Sequence, residues 1–506
     1  MRARRSRAAA AISGSLGLFA LGLAGPLGVG SARDGSGASP PRRVVLTTPQ
    51  ATIDPTLGAC PSGSSPIGVL DRAAGLRVCQ LEVAVADSCV ESARDALYVA
   101  PGSEGDGTRE RPFGTLDAAL ARAPRGATIV LRPGAHDAPS RPIAGVSVRA
   151  ACDGGARLVG PTRLGEGGAL TSIDIDGTVA FEGHAVLRDL SVRGEPALRL
   201  EGPHARGALE RVQLHAEREA VVLRLGARLE AELVRVEGGG LAIRAEGQAT
   251  RAELTHLEVA PGPRVRSLDV RDRARVLVRG SFLAGGIEDA AVAEGAELAL
   301  EETVLHGPSR ALLDLREGSH ARLSHVALEE AREHALVATE AVLEARGLVV
   351  RAHRGVSGAA REAAILAHEG SQVVLEDAVI HAAHSHALLV SGRGTYLRGE
   401  RLELFDTRAA ACATTTLGCA GAPRGHGIAV TEGARVEVHG SHVAASEGCA
   451  LFVDGPFSRV ALDSSLVRDN RVALCGDGAS GDWMSLARDV RLEDNESVIA
   501  RPRATR

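Results

Sequence analysis

The chain has no lysine: all 58 basic residues among its 506 are arginines. An amine base or a Schiff-base nucleophile is thereby excluded, and an arginine serving as base would need unusual tuning, because its pKa stays above about 12. Aromatic residues make up only 2% of the chain, with one Trp, two Tyr and seven Phe. Few stacking platforms for sugar rings can therefore exist, and aliphatic side chains must supply the buried area that rings usually provide. Asparagine occurs only at Asn470 and Asn495, no two aspartates are adjacent, and no two cysteines have the C-x2-C spacing of a zinc site. A formal net charge of -5 leaves no broad basic field, so nucleic acid and anionic membrane are not expected partners.

What is present begins with an export signature. MRARRSRAAAAISGSLGLFALGLAGPLGVGSA has a basic start, an apolar stretch from Ala8 to Val29, and the small residues Gly30 and Ala32 before a polar segment. This predicts a secretory signal over 1–32, cleaved after Ala32 and leaving no membrane anchor. A retained anchor is the alternative, but Gly22, Gly25, Pro26 and Gly28 weaken it as a helix. A flexible Gly/Ser/Pro-rich linker over 33–59 and a small cysteine-containing segment over 60–94 are expected next. The eight cysteines suit a protein outside the cytosol, secreted, periplasmic or at the cell surface. Cys60, Cys79, Cys89 and Cys152 lie early, Cys412, Cys419, Cys449 and Cys475 late. Each group of four allows three pairings, and spacing does not choose among them.

From there the chain repeats. DAAVAEGAELALEETVLHG, AILAHEGSQVVLEDAVIHA and GIAVTEGARVEVHGSHVAA each place a glycine after a short apolar alternation. Those glycines, Gly247, Gly295, Gly318, Gly370, Gly392, Gly433, Gly455 and Gly478, are 21 to 23 residues apart or about twice that. Apolar residues fall three, five and ten positions after the glycine, as in Leu298, Leu300 and Leu305, or Val436, Val438 and Val443. Such short alternations indicate half-buried strands, three per unit of about 22 residues. One unit cannot bury its apolar face alone, so units stack into a parallel β-helix with a continuous aliphatic column. Roughly fourteen coils at about 4.8 Å each give a rod near 65 Å. A leucine-rich repeat would need a recurring asparagine that the chain does not have.

ALYVAPGSEGDGTRERPFGTLDAALARAPRGATIVLRPGAH, residues 96 to 136, resembles the N-terminal cap of the pectate-lyase-like right-handed β-helix superfamily. Tyr98-Val99 makes a strand, Thr115 caps a helix from Leu116 to Ala123, and Thr128 to Leu131 begins the coils. His136 stands where many relatives carry a tyrosine. The resemblance implies an all-β, right-handed parallel β-helix with a short capping helix, the cap over 95–136 and coils over 137–500, with an inserted loop at about 397–426. Members of the superfamily include polysaccharide lyases, polygalacturonases, phage tailspikes and exported proteins without known activity. The lyases use calcium-binding aspartates and a Lys or Arg base, and the polygalacturonases pair aspartates with a Gly-His-Gly motif. Gly425-His426-Gly427 resembles that motif but lacks the paired aspartates.

Aligning strands gives His426 a second identity. His386, His426 and Cys449 fall at one corner of successive coils, a column able to hold zinc or copper or to poise a thiolate. The plainer expectation is a corner stack with backbone-satisfied rings and Cys449 bridged to the 412–419 insertion. His381 and His384, in HAAHSH, lie beside it. Asp174 and Asp176, in SIDIDG, point outward together from one strand, but calcium needs more oxygens than two side chains supply. No catalytic residue and no bound metal is therefore assigned. The expected function is that of an exported monomer with a structural or interaction role toward polysaccharide or a surface protein. An enzyme acting on polysaccharide in a groove along the parallel sheet is the alternative.

Overall fold

The computed structural model describes residues 43–51, 64–71, 76–84, 95–151, 155–260, 266–286, 288–351, 353–354, 362–409, 425–476 and 487–500. The expected signal peptide, its cleavage point after Ala32, and Cys60, Cys89, Cys152, Cys412, Cys419 and Gly478 lie outside them. The described residues from 97 to 500 form a right-handed parallel β-helix of about fourteen turns. Two parallel sheets run its length, and in the smaller each strand pairs with its equivalent one coil later. Fifteen strands make up that smaller sheet, fourteen of them between residues 145 and 478, one per coil.

The larger sheet supplies the other two strands of each coil, joined by a bend at a left-handed residue such as Asp189 (φ +55°), Arg211 (φ +53°) or Arg401 (φ +53°). The files expected from the repeat are inward: Leu298, Leu300, Leu305, Val436, Val438 and Val443 are at most 2% exposed. They stack in register, Leu300 on Leu323, Gly399 on Val438, and Val438 on Leu462. Burying a Val or Leu side chain contributes about 1.5 to 3 kcal/mol, so this single column carries the fold. The turn glycines sit at left-handed angles, as at Gly433 (φ +83°), where another residue would be strained.

Hydroxyls close the corners. Ser441 Oγ accepts the Leu402 amide from the coil below (2.9 Å) and donates to the His439 carbonyl (3.0 Å). Ser281 and Thr250 do the same for Leu257 and Gly226. Near the C-terminal end the two asparagines take over, Asn470 Oδ1 accepting from Ser446 and Asn495 Oδ1 from Asn470. The cap is a helix over Leu116–Arg122, with Thr115 Oγ1 accepting the Ala118 amide at 3.2 Å. Its Leu116 and Ala119 are buried against the first coils. His136 is buried and donates from Nε2 to the Arg132 carbonyl (2.8 Å).

Described strands fall within two of the expected segments. The linker over 33–59 contains a strand, Arg43–Ala51, paired antiparallel with Leu76–Ala84, which also pairs with Ser64–Asp71. Val44, Val45, Leu46, Thr47 and Thr48 supply the β-branched, apolar run that favours it. The segment expected as an insertion at about 397–426 opens, among the described residues, on strands of the coils. Tyr396–Glu400 and Glu403–Thr407 are regular coil strands that continue the register of Gln372–Glu376 and Val379–His381.

Candidate functional site

The smaller sheet's strands bring the expected corner column together. His386 pairs with His426 in register, Ile428 with Leu451, and Cys449 with Val472, which places His386, His426 and Cys449 on successive coils. The His386 and His426 rings stack with centroids 5.2 Å apart, and His426 stacks on Phe452 at 4.6 Å with the planes only 4° apart. His426 is 3% exposed, and its Nδ1 accepts the Cys449 amide at 3.0 Å. That bond needs an unprotonated Nδ1, and burial pushes the imidazole pKa down to about 4.

Cys449 corrects the sequence-based expectation. It forms a disulfide with Cys475, not with the 412–419 insertion, so it offers no thiolate to a soft metal. The Gly-His-Gly triplet is accordingly a coil corner. A Cβ on Gly427 would lie 2.6 Å from Val443 Cγ1 and 2.8 Å from the Ala450 carbonyl, and Gly425 has a φ of +107°. Neighbouring imidazoles also serve the backbone. His334 Nδ1 donates to the Ala363 carbonyl (2.9 Å); His353 donates from Nε2 to the Glu333 carbonyl (2.6 Å) and accepts the His384 amide at Nδ1 (3.1 Å). His381 is exposed at its strand end.

These depressed histidines predict acid sensitivity. A histidine whose folded pKa lies below its unfolded value contributes stability that is present above the unfolded value and lost as pH falls through the folded one. For His426 the window is about pH 6.5 to 4, worth about 3 kcal/mol. Denaturant unfolding of His426→Asn should show a shallower loss across that window than the parent; equal slopes would remove the buried neutral ring from the account.

The outward acidic pair belongs to a larger network that the sequence did not reveal. Ile175 is buried between Asp174 and Asp176, which face out. In register, Asp174 leads on through Ser191, Gln213, Arg235 and Glu258, and Asp176 through Arg193, His215 and Glu237. Asp176 pairs with Arg157 (3.1 Å) and is not free to ligate. Two to four coils on, Arg235 bonds Glu237 through Nε (2.7 Å) and lies 3.3 Å from Glu258 Oε1 through Nη1, and His215 Nδ1 lies 3.2 Å from Glu237 Oε2. The Asp174 charge also reaches His215.

Glu258 is the unusual member. Its side chain is 12% exposed, and its Oε2 is buried without a hydrogen-bond partner among the described residues. Burial raises its pKa, Arg235 opposes that, and the Glu237 charge adds to it. Two carboxylates sharing one guanidinium, one held toward its neutral form, can donate and accept a proton at one place. In the sequence these residues are ordinary polar members of strand alternations, and only coil register gathers them. On the outer face of an adjacent strand file a groove of about 530 Å³ is lined by Glu253, Leu277, Glu297, Ala299, Arg322 and neighbours.

Among the described residues no three His, Cys, Asp or Glu are grouped to hold a metal, and no helix is long and apolar enough to cross a membrane. No family model and no curated protein matches the chain. Solved structures do resemble it. The catalytic unit of a thermostable GH87 α-1,3-glucanase from Streptomyces thermodiastaticus is 13% identical, over 84% of this chain and 72% of that one, at a TM-score of 0.30. The A-module of an Azotobacter vinelandii mannuronan C-5 epimerase is 12% identical, over 79% and 95%, at 0.26. A pectate lyase is 10% identical, over 83% and 80%, at 0.16. At these identities the likeness is one of fold.

Proposed function

We propose that this protein is an exported, non-catalytic β-helix that acts as a monomeric structural or interaction module at the cell surface or in the periplasm, toward a polysaccharide or a surface protein. The reading is supported by how the outer charges are arranged. Arginine and carboxylate on successive coils already face one another: Arg188 and Glu210 (2.5 Å), Arg275 and Glu297 (3.1 Å), Arg279 and Glu301 (2.7 Å), Arg322 and Glu344 (3.2 Å). Paired charges of this kind add little stability, but they make a solvated, neutralised flank suited to docking without strong non-specific attraction.

Glu258 favours a second reading, an enzyme acting on polysaccharide with Glu258 as proton donor and Glu237 as the companion carboxylate. One experiment separates the two. The purified protein is incubated with a panel of uronates and neutral glucans, with and without calcium. Absorbance of unsaturated ends and formation of reducing ends are then followed. Neither signal is the expected result. A product that disappears in Glu258→Gln would reverse the ranking.

A further inference from the structure

At the corner leading into each strand of the smaller sheet, one residue turns inward before the alternation begins. Register places Ala220, Ala242, Ser267, Asp289, Leu312 and Ala335 in this file on successive coils, each at most 2% exposed. A carboxyl group thus sits inside the aliphatic column. Asp289 is 0% exposed; its Oδ1 accepts from Ser309 Oγ at 2.7 Å, and its Oδ2 has no partner among the described residues. Ser267 Oγ, its file neighbour one coil below, is likewise buried without a hydrogen-bond partner among the described residues. The space is made by Gly285, where a Cβ would fall 1.6 Å from Asp289 Oδ1.

Among the described residues, the arginines near this file are engaged elsewhere. Arg271, ending the strand below, and Arg316, just past the strand above, are bonded to Asp269 and Asp314. Arg310, next to Ser309, lies against Glu333 (3.4 Å). His306, on the strand Val304–His306, is the titratable side chain whose charge reaches Asp289, and it is drawn to Glu329 (3.7 Å). An ionised carboxylate in an apolar interior is far costlier than a neutral one that accepts a single hydroxyl hydrogen bond.

We propose that Asp289 is carried in the core as the neutral acid, with Ser309 as donor to Oδ1, and that its ionisation loosens the coils around it. The middle of the solenoid is then a proton-linked joint: rising pH transfers the Asp289 proton to water and leaves a buried anion. His306, whose pKa the Glu329 contact and the surrounding carboxylates raise, is already engaged by Glu329.

Burial moves this carboxyl from 3.8 up to about 8. The folded state therefore holds a proton that the unfolded state has lost, and stability is full below about pH 4, falls as pH rises, and levels off above about pH 8. Asn has the shape and donor of the neutral acid and cannot ionise; Ala is the residue this file carries at Ala242 and Ala335. Denaturant unfolding of the full chain is measured from pH 5 to 9 for the parent, Asp289→Asn and Asp289→Ala. The ratio of the parent's folding constant to that of either variant should fall about tenfold per pH unit between pH 5 and 8, then flatten. Hydrogen exchange, corrected for intrinsic rate, should show Arg266–Arg271 and Ala311–Leu315 opening first in the parent at pH 9. Parallel pH profiles for parent and whichever variant folds, or opening confined to the coil ends, would overturn the proposal.

Discussion

Val438→Asp is expected to cost about 4 kcal/mol or more and to unravel the C-terminal coils. Val438 is 2% exposed and stacks between Gly399 below and Leu462 above. A Cβ on Gly399 would come within 2.4 Å of Leu402 Cδ1, so Leu402 already fills the space beneath. The new carboxylate would enter the aliphatic column, where no buried arginine is found among the described residues. Because each coil is stabilised by its two neighbours, the defect should spread toward the nearer end before it crosses the longer N-terminal stack. Melting followed by circular dichroism should show a lower midpoint, and limited proteolysis should release fragments beginning beyond residue 435. An unchanged midpoint would mean that Val438 does not face the column.

The second large effect is expected at Cys475→Ser. The Cys449–Cys475 bridge closes a 26-residue separation and ties the strand Cys449–Val453 to Val472–Gly476. Restricting a loop of this size in the unfolded chain contributes about 3 kcal/mol, with the balance between entropy and enthalpy dependent on the model used. The variant should lose that stability, and reductant should then have little further effect on these coils, whereas the parent should respond to reductant by a similar amount. Equal stability of parent and variant in oxidising buffer would remove the bridge as a staple.

The fold was legible because its information is local. Leu298, Leu300 and Leu305 repeat the spacing of Val436, Val438 and Val443, and a period near 22 residues has few three-dimensional solutions that bury every apolar member. The His386, His426 and Cys449 column was also legible, since strands can be aligned without knowing what lies between them. What Cys449 bonds to was not, because pairing depends on which side of the next coil Cys475 emerges. Phe452, which stacks on His426, escaped notice as an outward member of a short strand. Arg235, Glu237 and Glu258 are separated by as many as 23 residues, and nothing marks them until successive coils fix their register. Asp289 was hidden for a different reason. It adjoins the inward Ala290, so a strict period of two turns it outward, but the corner breaks the alternation and both residues face the core.

The hydroxyls at the corners bear on how such a chain changes over generations. Ser441, Ser281 and Thr250 each satisfy an amide of the turn beneath and a carbonyl of their own. Turns closed in this way offer their successors the same set of groups that they met themselves. A duplication or deletion of one complete winding leaves both new junctions chemically matched, whereas a change of a few residues within a winding does not. Rod length is thus free to drift in whole windings while the cross-section is held constant.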